Sequence, residues 1–537
     1  MTRTLRLTRH RLTVALAVSL AIAPEASAQI ADVTSATIAD INRAFDAGTL
    51  TSEQLVETYL ARIDAYDQRG PRLNAVLALN PRAVERAREL DAERQANGPR
   101  SPLHGIPVVL KDNIDTADMP TTAGSTLLEG SLPPDDGFVV RRLREAGAII
   151  LAKLNMSEFA SGGALSSLGG PMRNPHDPTR TPSGSSGGTG IAVAAAYAQL
   201  GLGTDTGGSV RMPATANGIV GLKPTHGLIS RDGIIPLALS FDMPGPMARS
   251  VYDVAAVLGI LAGIDPADPE TGKSEGRAER DYTAFLDADA LAGARIGVAR
   301  DFFGQDEDVD WVIEASVAAM ERAGATVIEV RFPRWLLDST GALYTAVRHR
   351  EFRAQIPGYL ATLLGDHPET LADLVEAAQQ MTSPSDHGRP NPGRWSLMEQ
   401  EDGSGDLTDY EYRAVHEHGL ALVRAIVDGM LESDRLDAIV HPTLPRRPSR
   451  LDPDPGTGRG APRRSPIRLA NLTGFPELVV PAGFTGNGLP VGMSILGRAF
   501  DEPRVLALGY AFEQITTARR LPMHTPRLAT ATATGGR

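Results

Sequence analysis

The sequence has no cysteine, few aromatic residues and only one sustained uncharged apolar stretch, which lies near its start. None of its 537 residues is Cys, and Phe, Trp and Tyr together make up 5%. The lack of cysteine excludes disulfides, thiolate metal sites and a cysteine nucleophile. No later segment has the roughly 20 apolar residues that a membrane-spanning helix needs.

The sequence also lacks a basic block interleaved with aromatic residues. Its formal net charge is −12 and its pI is near 5.5, so it has no electrostatic footprint for nucleic acid. With 42% hydrophobic and 22% charged residues, the composition is that of a globular protein with a large core. We therefore expect a neutral or small substrate and no nucleic-acid partner. The oligomeric state does not follow from composition, and the expectation is a monomer or homodimer.

The first residues have the pattern of an export sequence. Several arginines precede an uncharged stretch at 12–23, and the small residues Ala-Ser-Ala follow at 26–28. About twelve apolar residues are too few for a membrane anchor. The pattern predicts a signal peptide at 1–28 and a mature protein of residues 29–537 that is periplasmic or secreted, with no membrane attachment after cleavage.

The middle of the chain alternates short apolar runs with Gly-rich turns and helical patterns. Between 103 and 260, the runs at 106–110, 148–152 and 198–203 predict buried strands, and the alternation predicts an α/β layered sheet. The stretch at 335–465 is the least regular part of the chain, with helical patterns that are broken by prolines at 384–392 and by a basic, proline-rich loop. The sequence does not explain why the loop is so basic at 446–464. We expect irregular structure there that shapes the substrate site.

Two Gly/Ser clusters, at 183–188 and 203–211, contain the candidate chemistry. Glycines let backbone N–H groups turn toward one point, and in the second cluster that point would lie beside a serine. Such an arrangement would form an oxyanion hole for a tetrahedral intermediate. The amides expected to contribute are those of Thr206, Gly207, Gly208 and Ser209.

A nucleophilic serine needs a base, and Lys111 is the candidate that the pattern favours. None of the 11 histidines lies in either cluster, whereas Lys111 ends the strand-like run at 106–110. The end of such a strand faces the crevice where open α/β sheets bind ligands. To act as a base the lysine must be neutral, so burial must lower its pKa from about 10.4. We expect an alkaline rate optimum.

At these three segments the sequence resembles the amidase signature family. A strand-end lysine, a Gly-Ser-Ser-Gly-Gly motif and a Gly-Thr-Asp-x-Gly-Gly-Ser-x-Arg motif stand in the family's order. The resemblance implies that Ser209 is the nucleophile and that Ser185, held by a cis peptide bond, relays the proton to Lys111. It also implies that Ser186, Asp205 and Arg211 support the serine loop.

The resemblance covers about 60–520. It implies a single-domain α/β fold with a twisted mixed sheet of about ten strands covered by helices on both faces. The implied enzyme is a serine amidase that forms an acyl-enzyme and needs no cofactor or metal.

Within the family, the segments at 103–114 and 230–236 are most similar to bacterial peptide amidases, which deamidate C-terminal peptide amides. That group has Glu and Asp where this chain has Asp205 and Gly207. Aryl acylamides and simple aliphatic amides therefore remain alternative substrates for a small-molecule or peptide amide hydrolase.

Three further interpretations are disfavoured. A glutaminyl-tRNA amidotransferase A subunit shares the motifs, but the predicted export argues against it. A catalytically inactive binding protein would not need the intact Lys111, Ser185 and Ser209. The His-Glu-His run at 416–418 suggests a metal site only weakly, because its polar helical pattern is typical of a solvated face.

Overall fold

The computed structural model describes residues 32–381, 390–452 and 464–528. The predicted signal peptide at 1–28 lies outside these ranges. Part of the basic, proline-rich loop also lies outside them.

In the described residues, eleven strands form one mixed sheet, close to the ten predicted. The strands in chain order are β1 Val76–Leu79, β2 Pro107–Lys111, β3 Ile149–Leu154, β6 Leu200–Asp205, β7 Val220–Lys223, β8 Met243–Ala248, β9 Arg295–Ala299, β10 Thr326–Val330, β11 Ala438–Pro442, β12 Glu477–Phe484 and β13 Pro490–Leu496, and the short strands β4 Leu165–Ser166 and β5 Gly170–Pro171 form a separate ribbon. Their spatial order in the large sheet is β1-β3-β2-β6-β8-β7-β12-β13-β11-β9-β10. The predicted α/β sheet is confirmed.

Strand β2 lies between β3 and β6 and runs parallel to both. Parallel neighbours end at the same edge of a sheet, so the last residues of β2 and β6 meet there. Val108 lies opposite Leu200 and Leu110 opposite Leu202. This register brings Lys111 beside the cluster that follows β6.

Helices flank the sheet. They are α1 Ile38–Asp46, α2 Ser52–Tyr66, α3 Ala83–Asn97, α4 Phe138–Glu145, α5 Gly187–Ala194, α6 Arg211–Asn217, α7 Val251–Leu261, α8 Glu307–Arg322, α9 Arg334–Leu360, α10 Leu371–Gln380, α11 Pro392–Asp402, α12 Tyr410–Arg413, α13 Leu420–Ser433, α14 Leu469–Thr473 and α15 Glu502–Thr516. Thr51 caps α2 through a capping box with Gln54. In the three described ranges, no helix is both long and apolar enough to cross a bilayer.

The stretch at 335–465 is more regular than expected, because its predicted helical patterns form long helices. Helix α9 alone has 27 residues, and α10 to α13 follow it. The buried face of α9 includes Leu336, Val347, Phe352 and Ile356, a helical spacing that its many charged residues obscure in the sequence. The proline in α9, Pro357, lies in its last turn.

Strand β8 is a central strand that the sequence does not suggest, because it contains Pro244 and Pro246. It pairs with β6 along its whole length, but its pairing with β7 covers only Met247 and Ala248. The two prolines lie beyond the residues that pair with β7, so the backbone N–H that each proline lacks removes no hydrogen bond to β7.

Candidate active site

Lys111 ends β2 with its side chain buried beside the first Gly/Ser cluster. Its Nζ lies 2.7 Å from Ser185 Oγ and 2.7 Å from Thr204 Oγ1. Burial lowers the pKa of Lys111 to about 7, although the charges of Asp205 and Asp242 act in the opposite direction. The amine is therefore both close to a hydroxyl and neutral in an appreciable fraction of molecules at neutral pH.

Thr204 is a second partner of this lysine that the sequence analysis did not single out. Its Oγ1 accepts hydrogen bonds from Lys111 and, at 3.1 Å, from Asn113 Nδ2. Both residues stand next to predicted site residues, since Thr204 precedes Asp205 and Asn113 lies two positions after Lys111. Their positions close to predicted site residues are the signal in the sequence that could have identified them.

The two Gly/Ser clusters lie against each other. The peptide bond between Gly184 and Ser185 is cis, as the resemblance implied. The N–H of Ser186 donates to the carbonyl oxygen of Ser209 at 3.2 Å, and the carbonyl of Ser185 accepts from Ser157. Residues that are 24 positions apart in sequence are thus held in one site, and both Ser185 and Ser209 are almost completely buried.

The carboxylate of Asp205 holds the loop around Ser209. It accepts the N–H of Gly208 at 2.8 Å and that of Val210 at 3.0 Å, so it fixes the backbone on both sides of the serine. Burial alone would raise the pKa of Asp205, but the charge and hydrogen bonds of Arg211 hold it well below its ordinary value. Asp205 therefore stays ionised, as a loop anchor requires.

Arg211 connects this loop to strand β12 and helix α14. Its guanidinium contacts Asp205 at 3.1 Å, Glu477 at 2.9 Å and the side-chain oxygen of Asn471 at 2.6 Å, and both ion pairs are fully buried. Burial would lower the pKa of Arg211, but the two carboxylates raise it. Asn471 and Glu477 lie about 260 residues away in sequence, and no sequence pattern connects them to the motif.

The predicted oxyanion hole needs one correction. The amide of Gly208 donates to Asp205, so the prediction that it serves an oxyanion is wrong. Thr206, Gly207 and Ser209 remain the amides of this loop that can bind an oxyanion.

The side chain of Thr206 and the surroundings of Gly207 shape this loop further. Thr206 Oγ1 donates a short hydrogen bond to the buried carboxylate of Asp242, whose pKa burial raises to about 6. A Cβ at Gly207 would lie 2.7 Å from the hydroxyl of Tyr344. Any larger residue there would have to displace the ring of Tyr344, which itself stacks on Phe241.

In the His-Glu-His run at 416–418, the first two side chains make an ordinary hydrogen bond and an ordinary ion pair. His416 contacts the hydroxyl of Ser240 at 3.1 Å, and Glu417 pairs with Arg413. Within the described parts of the chain, no three His, Cys, Asp or Glu side chains are placed to hold one ion.

The geometry thus combines a buried amine of lowered pKa, an adjacent hydroxyl, a second serine on a braced loop and backbone amides beside it. These are the groups that acyl transfer from an amide to a serine requires. A family model described as Amidase matches residues 54–506. The chain belongs to the amidase family. Its members hydrolyse amide bonds or carry out related amide transfer, and this amidase has the fold and motifs of the family.

Solved and curated relatives extend over almost the whole amidase. The native peptide amidase from Stenotrophomonas maltophilia is 40% identical, with a TM-score of 0.84, and the match covers 91% of this chain and 98% of that one. The glutamyl-tRNA(Gln) amidotransferase A subunit of Myxococcus xanthus is 37% identical over 483 residues, which cover 87% of this chain and 94% of the relative. The corresponding protein from Thermotoga maritima has a TM-score of 0.68 at 28% identity, and that match covers 92% of this amidase and 98% of the Thermotoga chain.

Replacing Arg211 by Met should strongly destabilise the amidase. The substitution leaves Asp205 and Glu477 buried without their cation, which costs roughly 3–5 kcal/mol of unfolding free energy. Arg413→Met is the matched control, because it also removes an arginine from a glutamate but on an exposed surface. Denaturant unfolding should show a large loss for the first variant and no measurable loss for the second. Equal stability of the two would contradict the proposed anchoring role.

Proposed function

We propose that this amidase hydrolyses the C-terminal amides of peptides through an acyl-enzyme, with Ser209 as nucleophile, Ser185 as proton relay and Lys111 as base. The observation that carries the proposal is the 2.7 Å contact between the buried Lys111 Nζ and Ser185 Oγ. Because burial lowers the pKa of that amine to about 7, it can accept a proton at neutral pH.

In the proposed reaction the proton of Ser209 passes to Ser185 while the proton of Ser185 passes to Lys111. The oxygen of Ser209 then bonds to the amide carbon, and the negative charge formed on the carbonyl oxygen is stabilised by backbone amides of 206–209 other than that of Gly208. Collapse of the intermediate breaks the C–N bond and releases ammonia, because the leaving nitrogen takes a proton from Ser185 while Lys111 returns its proton to Ser185. Water repeats the sequence on the acyl-enzyme and releases the acid.

The choice of peptide amides is supported by the similarity to the Stenotrophomonas peptide amidase, which exceeds that to the Thermotoga amidotransferase chain in both identity and TM-score. Bacterial peptide amidases have Asp where this chain has Gly207 in the oxyanion loop. Substrates whose acyl groups differ in shape from a peptide therefore remain alternatives. Aryl acylamides and aliphatic amides are therefore included in the test below.

A second candidate is the glutamine-hydrolysing role of an amidotransferase A subunit. The observation that favours it is 35–37% identity to several such curated proteins over most of their length. This candidate requires partner proteins in the cytoplasm, whereas we propose that this chain is exported. Glutaminase activity without activity on peptide amides would favour the amidotransferase role.

We propose export on the basis of the N-terminal sequence pattern. When the full chain is expressed in a Gram-negative host, the protein should be recovered from the periplasm or medium with Gln29 at its new N-terminus. Intact-mass measurement and N-terminal sequencing check this. Full-length protein confined to the cytoplasm would contradict it.

The purified mature protein should release ammonia from capped peptide amides, and Ser209→Ala should retain less than about 1% of that activity because it removes the attacking oxygen. The assay compares peptide amides with simple aliphatic amides and acylanilides. Arylamine release with little ammonia would move the substrate to the aryl acylamides. Turnover by Ser209→Ala above that level would overturn the nucleophile assignment.

The rate should rise with pH around neutrality, because only the neutral form of Lys111 is a base. We expect kcat/KM to increase through an apparent pKa of about 7 and to level off above it. Thr204→Val removes an acceptor of the charged amine and should move this limb to lower pH. A limb near pH 10, or one that Thr204→Val leaves unchanged, would contradict the role of Lys111.

A further inference from the structure

A cavity of about 640 Å³ opens beside the oxyanion loop. Its apolar wall includes Leu337 and Ile467, and Gly207 connects it to the loop that follows β6. Three charged side chains also line it: Asp338, Arg464 and Arg468. An acyl or leaving group bound next to the oxyanion loop would therefore meet charged residues in this cavity.

The charges in this cavity do not cancel. Arg464 pairs with Asp338 at 3.4 Å. Arg468 instead stacks on the ring of Tyr344, with its guanidinium carbon 4.7 Å from the ring centre. Among the described residues, no carboxylate forms an ion pair with Arg468. The cavity is thus lined by one guanidinium, that of Arg468, which no described carboxylate neutralises.

The position of Arg468 is fixed by its neighbours. The ring beneath it belongs to Tyr344, whose hydroxyl also covers Gly207. On helix α9, a Cβ at Gly341 would lie 3.2 Å from Arg468 Nη1, so the glycine leaves room for the guanidinium. Stacking holds the plane of the group while its N–H edges stay available to a ligand.

A neighbouring cavity of about 310 Å³ carries a similar excess of positive charge. It is lined by Ser183 of the first Gly/Ser cluster and shares Arg464 with the larger cavity. Arg447 in its wall is neutralised by Asp306. Arg446 has buried guanidinium nitrogens without a hydrogen-bond partner in the described structure. Each of the two cavities is therefore lined by one arginine that has no carboxylate partner among the described residues.

We propose that Arg468 is a specificity-determining residue that binds a carboxylate of the substrate, so that the enzyme prefers amides of acidic peptides. The inference rests on the proposed function and names its substrate class. A planar guanidinium with free N–H edges pairs with a carboxylate through two parallel hydrogen bonds. Such a ligand would neutralise the charge that the cavity leaves unpaired.

The test compares capped peptide amides that carry either glutamate or norleucine at the first, second or third residue from the amide. At the position whose side chain reaches Arg468, kcat/KM should be roughly 10-fold or more higher for glutamate, mostly through KM. Arg468→Met should bring the ratio close to one. Arg450→Met, an exposed arginine outside both cavities, should leave it unchanged.

A structural role of Arg468 would lower activity on both substrates alike, whereas the proposed role changes their ratio. The inference is overturned if ammonia is released but the ratio is near one at every position, or if Arg468→Met leaves a preference intact. If Arg468→Met does not fold, Arg468→Gln replaces it.

Failure of the proposed function has a different outcome. If no peptide amide is hydrolysed, calorimetric binding of the same peptides to Ser209→Ala tests the inference separately. Tighter binding of the glutamate peptide that depends on Arg468 would support it, and equal binding would overturn it.

Discussion

The exclusion of water from one amine is the constraint on which the site depends. A lysine at the end of a strand is ordinarily charged and useless as a base, and only burial makes its neutral form abundant near pH 7. The parallel neighbours of β2 supply that burial and also bring the cluster after β6 within hydrogen-bonding distance. The sheet therefore sets both the position and the protonation of Lys111.

A few residues away, other buried side chains stay charged. Asp205, Arg211 and Glu477 are fully buried, yet each carboxylate has the guanidinium as a partner. Paired in this way, Asp205 stays ionised and can hold the amides on both sides of Ser209. Lys111 donates to hydroxyls, and among the described residues no carboxylate forms an ion pair with it. Burial therefore outweighs the more distant charges of Asp205 and Asp242 and lowers the pKa of Lys111, whereas the paired guanidinium keeps the pKa of Asp205 low.

The parts of this arrangement that local sequence determines could be predicted. Lys111 follows a run of apolar residues, and Ser185 and Ser209 lie in glycine-rich clusters, so their types and spacing indicated the chemistry and, through family resemblance, the fold. Asn471 and Tyr344 each join the site by tertiary packing with residues more than a hundred positions away, which a single sequence does not encode in a readable pattern. The Gly208 amide was mispredicted for a related reason, since its orientation depends on where the Asp205 carboxylate lies.

The most direct test of the account is to titrate Lys111 itself. The sequence has only four lysines, Lys111, Lys153, Lys223 and Lys273, so selective ¹³C labelling at Cε gives a simple NMR spectrum, and Lys111→Met assigns the signal. We expect this signal to titrate near pH 7, because burial disfavours the charged form of the amine. A signal that stays protonated up to about pH 10, the ordinary range of lysine, would contradict the proposal that Lys111 is the base.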